Sequence, residues 1–326
     1  MPLKVLLVCD RRNWAYDAIA QALIKHNPYP ELTLETAYLK DGPSALATAV
    51  GSADQLFVLG WQLLQTRNRF GFVRCNPLFD HRRTITGIHS HHAWDNKKTQ
   101  PDRMVTPPRN LVRFLRKLPR VNVVSKRLFD LFISAGLDQV AYTPNGVDVE
   151  IFRPVKPVCH DGSLVVGYSG SLKHDWRKGI SEFIEPACKK AGVELRKAML
   201  ADGHYIAQTE MPMFYNEIDV YLCASSSEGF SLSVLEASAC GRPIISTKVG
   251  GCEDLIQDGV NGFLVERDVD AIVEKLLLLK QEPEKAKRLG EANREVVELH
   301  WSWESRAKDW IKFILSGPGM DGFMDR

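Results

Sequence analysis

Short apolar runs of strand type alternate with helix-period segments along almost the whole chain, and this alternation restricts the fold more than any other feature. Leu3–Val8 is a buried-type run of Val and Leu, and Ala15–Lys25 follows with apolar residues at helical spacing. Leu32–Tyr38, Gln55–Leu59, Thr84–Ile88, Val121–Val124 and Gln139–Tyr142 read as further strands, with a helix over Lys126–Ala135. Such repetition predicts a parallel sheet with helices on both faces. The rhythm stops at Phe152–Pro157, where two prolines and the loss of periodicity read as a linker. It resumes with strands at Leu164–Tyr168, Val220–Cys223 and Pro243–Ser246. Helices are expected over Lys178–Ala191, Ser231–Cys240, Asp268–Leu279, Pro283–Leu299 and Trp301–Leu315. A chain of 326 residues also exceeds what one core usually supports. Two doubly wound α/β domains are therefore expected, 1–154 and 155–300. Sheets of this kind bind ligands at the carboxyl ends of their strands, which predicts a cleft there.

Charge divides along the same line. Residues 1–154 hold 21 Lys and Arg against 13 Asp and Glu, and the remainder holds 21 against 27. The basic half could face an anionic acceptor, a lipid surface or nucleic acid, or simply steer the two domains together. Nucleic acid is not expected, because no recognition motif or aromatic–basic repeat accompanies the charge. Arg109–Arg120 interleaves five basic residues with Leu111, Val112, Phe114, Leu115 and Leu118. It reads either as a surface helix with a solvated cationic face or as a peripheral contact with an anionic membrane. Apolar residues make up 44% and charged residues 25%, which excludes a disordered chain. No apolar run approaches the roughly 18 residues that span a bilayer, and the start reads as lacking a signal peptide. Seven cysteines with no Cys-x-x-Cys pair read as reduced, mostly buried thiols, so a cytoplasmic location is expected. His89, His91 and His92 cluster near His81 without the spacing of a closed metal site, so no metal is expected.

The most informative stretch is Ser225-Ser-Ser-Glu-Gly-Phe-Ser-Leu-Ser-Val-Leu-Glu236, continuing to Cys240-Gly-Arg-Pro243. A strand ends near Cys223, a loop with Gly229 follows, and a helix opens at Ser231, a natural N-cap. A helix start after such a loop presents free N–H groups and a positive dipole end, which suits an anion. Glu228 stands just before the helix and Glu236 lies within it, among small apolar residues. A carboxylate there needs hydrogen-bond donors, and sugar hydroxyls are good ones. Phosphate plus polyol describes a nucleotide sugar. The alternative is an N-capped helix whose glutamate bonds a neighbouring backbone.

This stretch resembles the signature of retaining family 4 glycosyltransferases (glycosyl transferases group 1) of the GT-B fold. Thr143-Pro-Asn-Gly-Val-Asp148, Arg177-Lys-Gly179, Val249-Gly-Gly251 and Asp258-Gly-Val-Asn-Gly-Phe263 resemble other segments of that family, in the same order. The likeness is good over about residues 120–310 and weak before them. It implies two Rossmann-like domains facing across a cleft, with the acceptor in the first and the donor in the second. The last helix, 301–315, would pack back onto the first domain. Glu236 would bond the donor ribose and Glu228 the transferred sugar. Gly170, Ser171, Arg177, Gly229 and the backbone N–H groups of Phe230, Ser231 and Leu232 would line the donor site. Lys178 would neutralise the leaving diphosphate. His89, in Thr86-Gly-Ile-His-Ser90, would sit near the donor sugar. Lys178, Glu228 and His89 are the catalytic candidates.

The resemblance implies a metal-independent hexosyl transfer with no cofactor beyond the donor. The acceptor would be a glycan, a lipid-linked molecule or a small molecule. Three departures stand out. Ser171 occupies the place of the family's usual arginine, with Arg177 or Lys173 as candidate replacements. Ser231 replaces a glycine. The loop Asp10–Tyr16 lacks the usual glycines. These departures keep open a catalytically weak or inactive nucleotide-sugar-binding protein, and a GT-B relative with other chemistry such as epimerisation.

Overall fold

The computed structural model describes residues 2–67, 73–90, 106–155, 163–199, 206–207 and 209–316. Its contacts divide the chain into two units. The first comprises Met1–Asp95, Val105–Asn145 and Trp303–Arg326, and the second includes Gly146–Ser302.

In the first unit the strands are β1 (Leu3–Cys9), β2 (Leu32–Tyr38), β3 (Gln55–Val58), β4 (Gln65–Arg67), β5 (Val73–Cys75), β6 (Thr84–Ile88), β7 (Val121–Val123) and β8 (Val140–Tyr142). Six of them form one sheet in the order β2-β1-β3-β6-β7-β8, parallel throughout. The remaining pair, β4 and β5, forms a small two-stranded antiparallel sheet that the sequence patterning did not indicate. Val5–Val8 and Leu56–Val58 are wholly excluded from solvent, as expected for strands covered on both faces. The helix Trp303–Leu315 belongs to this unit. Trp310 is fully buried against Phe57 and Trp303, and its indole N–H donates to the Pro144 carbonyl at 2.8 Å. That helix begins two residues later than the patterning suggests. Trp301 closes the preceding helix, donating to the Val297 carbonyl, while its own carbonyl accepts from Val147.

The basic segment forms a helix over Arg109–Leu115. Leu111, Val112, Leu115 and Leu118 are buried in the unit's core, while Arg109, Arg113 and Lys117 are exposed. Arg116 donates to the Gly136 carbonyl. The apolar face is thus committed to the core, and only the cationic face is exposed. Among the described residues no helix is long and apolar enough to cross a membrane.

The second unit has β9 (Val165–Gly170), β10 (Glu194–Met199), β11 (Val220–Cys223), β12 (Ile244–Thr247) and β13 (Gly262–Val265). They form a parallel sheet in the order β10-β9-β11-β12-β13. Val166, Ile180, Ile184, Leu222, Ile245 and Leu276 anchor one side of it, and Tyr215, Leu235 and Ile244 the other. The single helix expected over Lys178–Ala191 is broken. A short helix Asp175–Lys178 ends at Gly179, and a π-type turn over Ile180–Ile184 leads into Glu185–Ala191. Gly179 has φ +69°, and a Cβ there would stand 2.8 Å from the Ala224 carbonyl oxygen. The break is held by Asp175, whose carboxylate accepts from the N–H groups of Ile180 and Ser181. Periodicity ignores such a turn because the apolar spacing continues through it.

Candidate functional site

Strand order reverses between β9 and β11 in the second unit, and ligands of open α/β sheets bind at such a point. β9 ends at Gly170 and runs into Ser171, while β11 runs into Ser225–Glu228. The topology therefore brings together residues about 50 positions apart.

Glu228 sits at the centre, its side chain 10% exposed. Lys178 Nζ donates to its Oε1 at 2.5 Å and Arg177 Nη1 to its Oε2 at 3.1 Å. Arg177 also donates to the Ser227 carbonyl, and the Ser225 hydroxyl donates to Glu228 Oε1 at 2.8 Å. Burial alone would raise this carboxyl, but the Lys178 and Arg177 charges and the two hydrogen bonds to Oε1 outweigh it and hold it down at about 2. Glu228 is thus a carboxylate at any ordinary pH. Two cations face one anion, which leaves one surplus positive charge beside a helix start. His174, one turn away, is pushed toward its neutral form by burial and by the charges of Arg177, Lys178 and Lys173.

Glu236 lies on the helix Leu232–Ala239. Its Oε2 accepts from the Tyr215 hydroxyl at 2.7 Å. Tyr215 also meets the Ser169 hydroxyl, which in turn meets Tyr221 at 2.9 Å. Burial and the Glu236 charge keep Tyr215 protonated, so it remains a donor. This buried chain fixes one carboxylate oxygen of Glu236, which lies partly exposed on the helix. Sequence reasoning missed Tyr215: it stands 21 residues from its partner on another helix, and no spacing signals the contact. It also passed over Ser225, although a serine three residues before an acid was a visible cue.

Ser231 takes the cap position of this helix, but its side chain makes no capping hydrogen bond. The N–H groups of the first turn have no acceptor within the helix, as at any helix start. The Glu228–Phe230 loop packs against Gly250 and Gly251. A Cβ on Gly250 would lie 2.5 Å from the Gly229 carbonyl oxygen, and one on Gly251 would overlap the Phe230 ring. Phe230 also stacks on Trp301 at 5.5 Å. The Val249-Gly-Gly251 segment therefore earns its glycines by close approach to this loop. Asp258–Asn261 turns into β13 and is tied to its flanks: Asp258 accepts from the Leu264 N–H, and Asn261 accepts from the Gln257 N–H and donates to the Leu255 carbonyl.

Ser171 accepts from the Lys173 N–H and so caps the turn Leu172–His174. Lys173 itself is exposed, whereas Arg177 reaches the carboxylate. Gly170 leaves the Tyr168 hydroxyl the space that a Cβ would fill.

In the first unit His89 follows β6, with Tyr16 edge-on at 4.9 Å and Trp310 at 6.2 Å. Burial lowers it to about 4, against a hydrogen bond to Leu59 that works the other way. It is therefore neutral near pH 7, and its Nε2 is buried with no hydrogen-bond partner among the described residues. His91 and His92 lie outside the described residues, as does Cys159. The six described cysteines are free, and all but Cys75 are buried. The loop after β1 solves its missing glycines with Asn13 at φ +59°, its N–H held by Asp17. Arg11 stacks on Trp14, and Arg12 pairs with Asp41 through both guanidinium nitrogens.

Residues 198–296, which include Glu228 and Glu236, match the family described as glycosyl transferases group 1. A trehalose synthase of Pyrococcus horikoshii is 36% identical over 168 residues, 52% of this chain and 40% of that protein. A GDP-mannose-dependent phosphatidylinositol monomannoside mannosyltransferase of Mycolicibacterium smegmatis is 33% identical over 120 residues, 34% of this chain and 31% of that protein. The matches thus span well under half the length of these relatives. Anabaena HepE, solved with UDP-glucose, superposes with a TM-score of 0.69 at 16% identity, covering 96% of this chain and 100% of that one. The chain therefore has a GT-B fold with two Rossmann-like units, as the sequence implied.

Proposed function

We propose that the chain is a retaining, metal-independent glycosyltransferase that moves a hexosyl group from a nucleotide-diphosphate sugar to a hydroxyl of a glycan, a lipid-linked molecule or a small molecule. The observation that carries this reading is Glu228 held between Arg177 and Lys178 beside the start of the helix Leu232–Ala239. A carboxylate takes sugar hydroxyls, while the surplus cation and the helix N–H groups of Phe230, Ser231 and Leu232 take a diphosphate. Glu236, oriented by Tyr215, takes the ribose hydroxyls. Gly170, Ser171 and Gly229 give the donor close access to backbone. Binding of UDP-glucose by HepE and dependence on GDP-mannose in the mycobacterial relative support a nucleotide sugar in kind.

As the sugar–phosphate bond breaks, charge grows on the diphosphate and the sugar becomes oxocarbenium-like. Lys178 and Arg177 are fixed cations for that charge, worth most where water is excluded. The acceptor oxygen attacks the anomeric carbon on the face the diphosphate leaves, and its proton passes to a diphosphate oxygen. His89, a neutral imidazole whose buried Nε2 has no partner among the described residues, is retained as a catalytic candidate of the first unit.

The competing reading, a nucleotide-sugar binder with little or no turnover, draws on Ser171, whose hydroxyl is engaged in capping a turn. Incubation with UDP-glucose, UDP-N-acetylglucosamine, GDP-mannose and ADP-glucose, with anomer-resolved product analysis by NMR, separates the two. Release of nucleoside diphosphate with an α-linked product supports transfer with retention. Binding without release supports the competing reading, and a β-linked product removes retention.

A further inference from the structure

We infer that Asn122 is a positioning residue for His89, holding the imidazole with its proton on Nε2 and its lone pair on Nδ1. The register of the first sheet brings the parts together. Gly87 on β6 pairs with Asn122 on β7, so the two share a face, and His89, two residues beyond Gly87, continues that face. Both side chains lean over Gly87. A Cβ there would lie 2.6 Å from Asn122 Oδ1, 2.7 Å from the Leu59 carbonyl oxygen and 2.8 Å from His89 Nε2. Three polar atoms thus converge on one point that only a glycine leaves open.

Asn122 is fully buried. Its Nδ2 donates to Thr143 Oγ1 at 2.7 Å, and Thr143 is tied to β7 by its own N–H, which donates to the Val123 carbonyl. That bond leaves Oδ1 turned toward His89. Oδ1 and His89 Nε2 are both enclosed, and neither has a fully formed hydrogen bond among the described residues. A buried carbonyl oxygen without a donor is costly, and Nε2 is the donor beside it. A lone pair on Nε2 would face two carbonyl oxygens, which repel it, whereas a proton there is attracted by both. The proton is therefore on Nε2, shared between Asn122 Oδ1 and the Leu59 carbonyl and in line with neither. The hydrogen bond of His89 to Leu59 acts in the same sense. A neutral imidazole has one protonated nitrogen and one acceptor, and the partner of the first decides which is which. His89 as a residue is partly exposed while its Nε2 is enclosed. The fold thus occupies the enclosed nitrogen and leaves Nδ1 as the acceptor for a ligand hydroxyl.

The rings against His89 are Tyr16, from the helix Ala15–Lys25, and Trp310, from the last helix. Burial pushes Tyr16 up to about 12, so it stays protonated and neither ring brings a charge.

The test follows the His89 ring by nitrogen-15 NMR in the full chain, for wild type, Asn122→Asp and Asn122→Leu. Neutral wild-type His89 is expected to carry its proton on Nε2. Asn122→Asp places a carboxylate at the same point and raises the His89 titration midpoint by about one pH unit or more. Leucine fills the same space without the oxygen, and in Asn122→Leu the Nε2 proton exchanges with solvent at least about tenfold faster. A wild-type proton on Nδ1, as an Asn122 amide turned the other way would require, overturns the proposal. So does an Asn122→Asp midpoint that matches wild type, or an Nε2 proton equally protected in Asn122→Leu. The wild-type spectrum decides even where neither variant folds. The consequence for turnover rests on the reading of His89 as a catalytic group: kcat for UDP-glucose consumption falls roughly tenfold in Asn122→Leu with KM unchanged. An unchanged kcat beside a raised Asn122→Asp midpoint removes His89 from the catalytic candidates and leaves the positioning in place. A wild-type protein that turns over no nucleotide sugar removes the transfer reading, and the nitrogen spectrum still decides this one.

Discussion

Gly250 packs directly onto the backbone carbonyl of Glu228, leaving no space for a Cβ. Its φ of +42° is also one that side chains rarely adopt. Gly250→Ala is therefore expected to destabilise the protein by about 3 kcal/mol, combining overlap with backbone strain. Urea unfolding checks this. Because the displaced segment carries Glu228, nucleotide-sugar affinity falls along with stability.

Glu228 gives stability a particular pH dependence. Its folded-state carboxyl is held down at about 2, below the ordinary 4.5. The contribution is fully present above pH 4.5 and is lost as pH falls from there toward 2. Glu228→Gln is expected to cost about 3 kcal/mol at pH 7, since Arg177 and Lys178 lose their partner. The gap between variant and wild type closes on acidification through that window, as measured by denaturant unfolding at a series of pH values.

His89 acts in a separate window. Its pKa falls to about 4 from 6.5 on burial, so the unfolded chain binds the extra proton. Stability from this group is complete above pH 6.5 and declines as pH falls toward 4, by about 1.4 kcal/mol per unit. His89→Gln removes that slope between pH 6.5 and 4 while leaving the Glu228 window intact. Turnover is expected to show no inflection near pH 6.5 from this residue.

Tyr215→Phe keeps the ring packing and deletes the hydroxyl that orients Glu236. Loss of a hydrogen bond to a charged group corresponds to about tenfold weaker binding of UDP, read by calorimetry. Stability changes less, because the ring stays among Phe152, Phe214 and Tyr221.

How far the sequence carried can be judged residue by residue. Most strands of both parallel sheets were legible as short apolar runs, but β10, whose Glu194-Leu-Arg-Lys start is polar and half exposed at the sheet edge, and the short β13 were not. Glu228, Arg177 and Lys178 were legible as a motif, and their meeting followed from strand order. The break at Gly179 was not legible, since the apolar period of the expected helix runs through it. Nor was the Tyr215–Glu236 bond, a tertiary contact with no spacing rule. The glycine-poor loop after β1 was noted as a departure. Its solution, Asn13 in a left-handed conformation held by Asp17, needed the coordinates.

Binding of a nucleotide sugar by the two acids is the central claim, and calorimetry of UDP-glucose and UDP against wild type, Glu228→Ala and Glu236→Ala tests it most directly. We expect Glu236→Ala to weaken both ligands at least tenfold and Glu228→Ala to weaken UDP-glucose selectively. Unchanged affinities in both variants would contradict it.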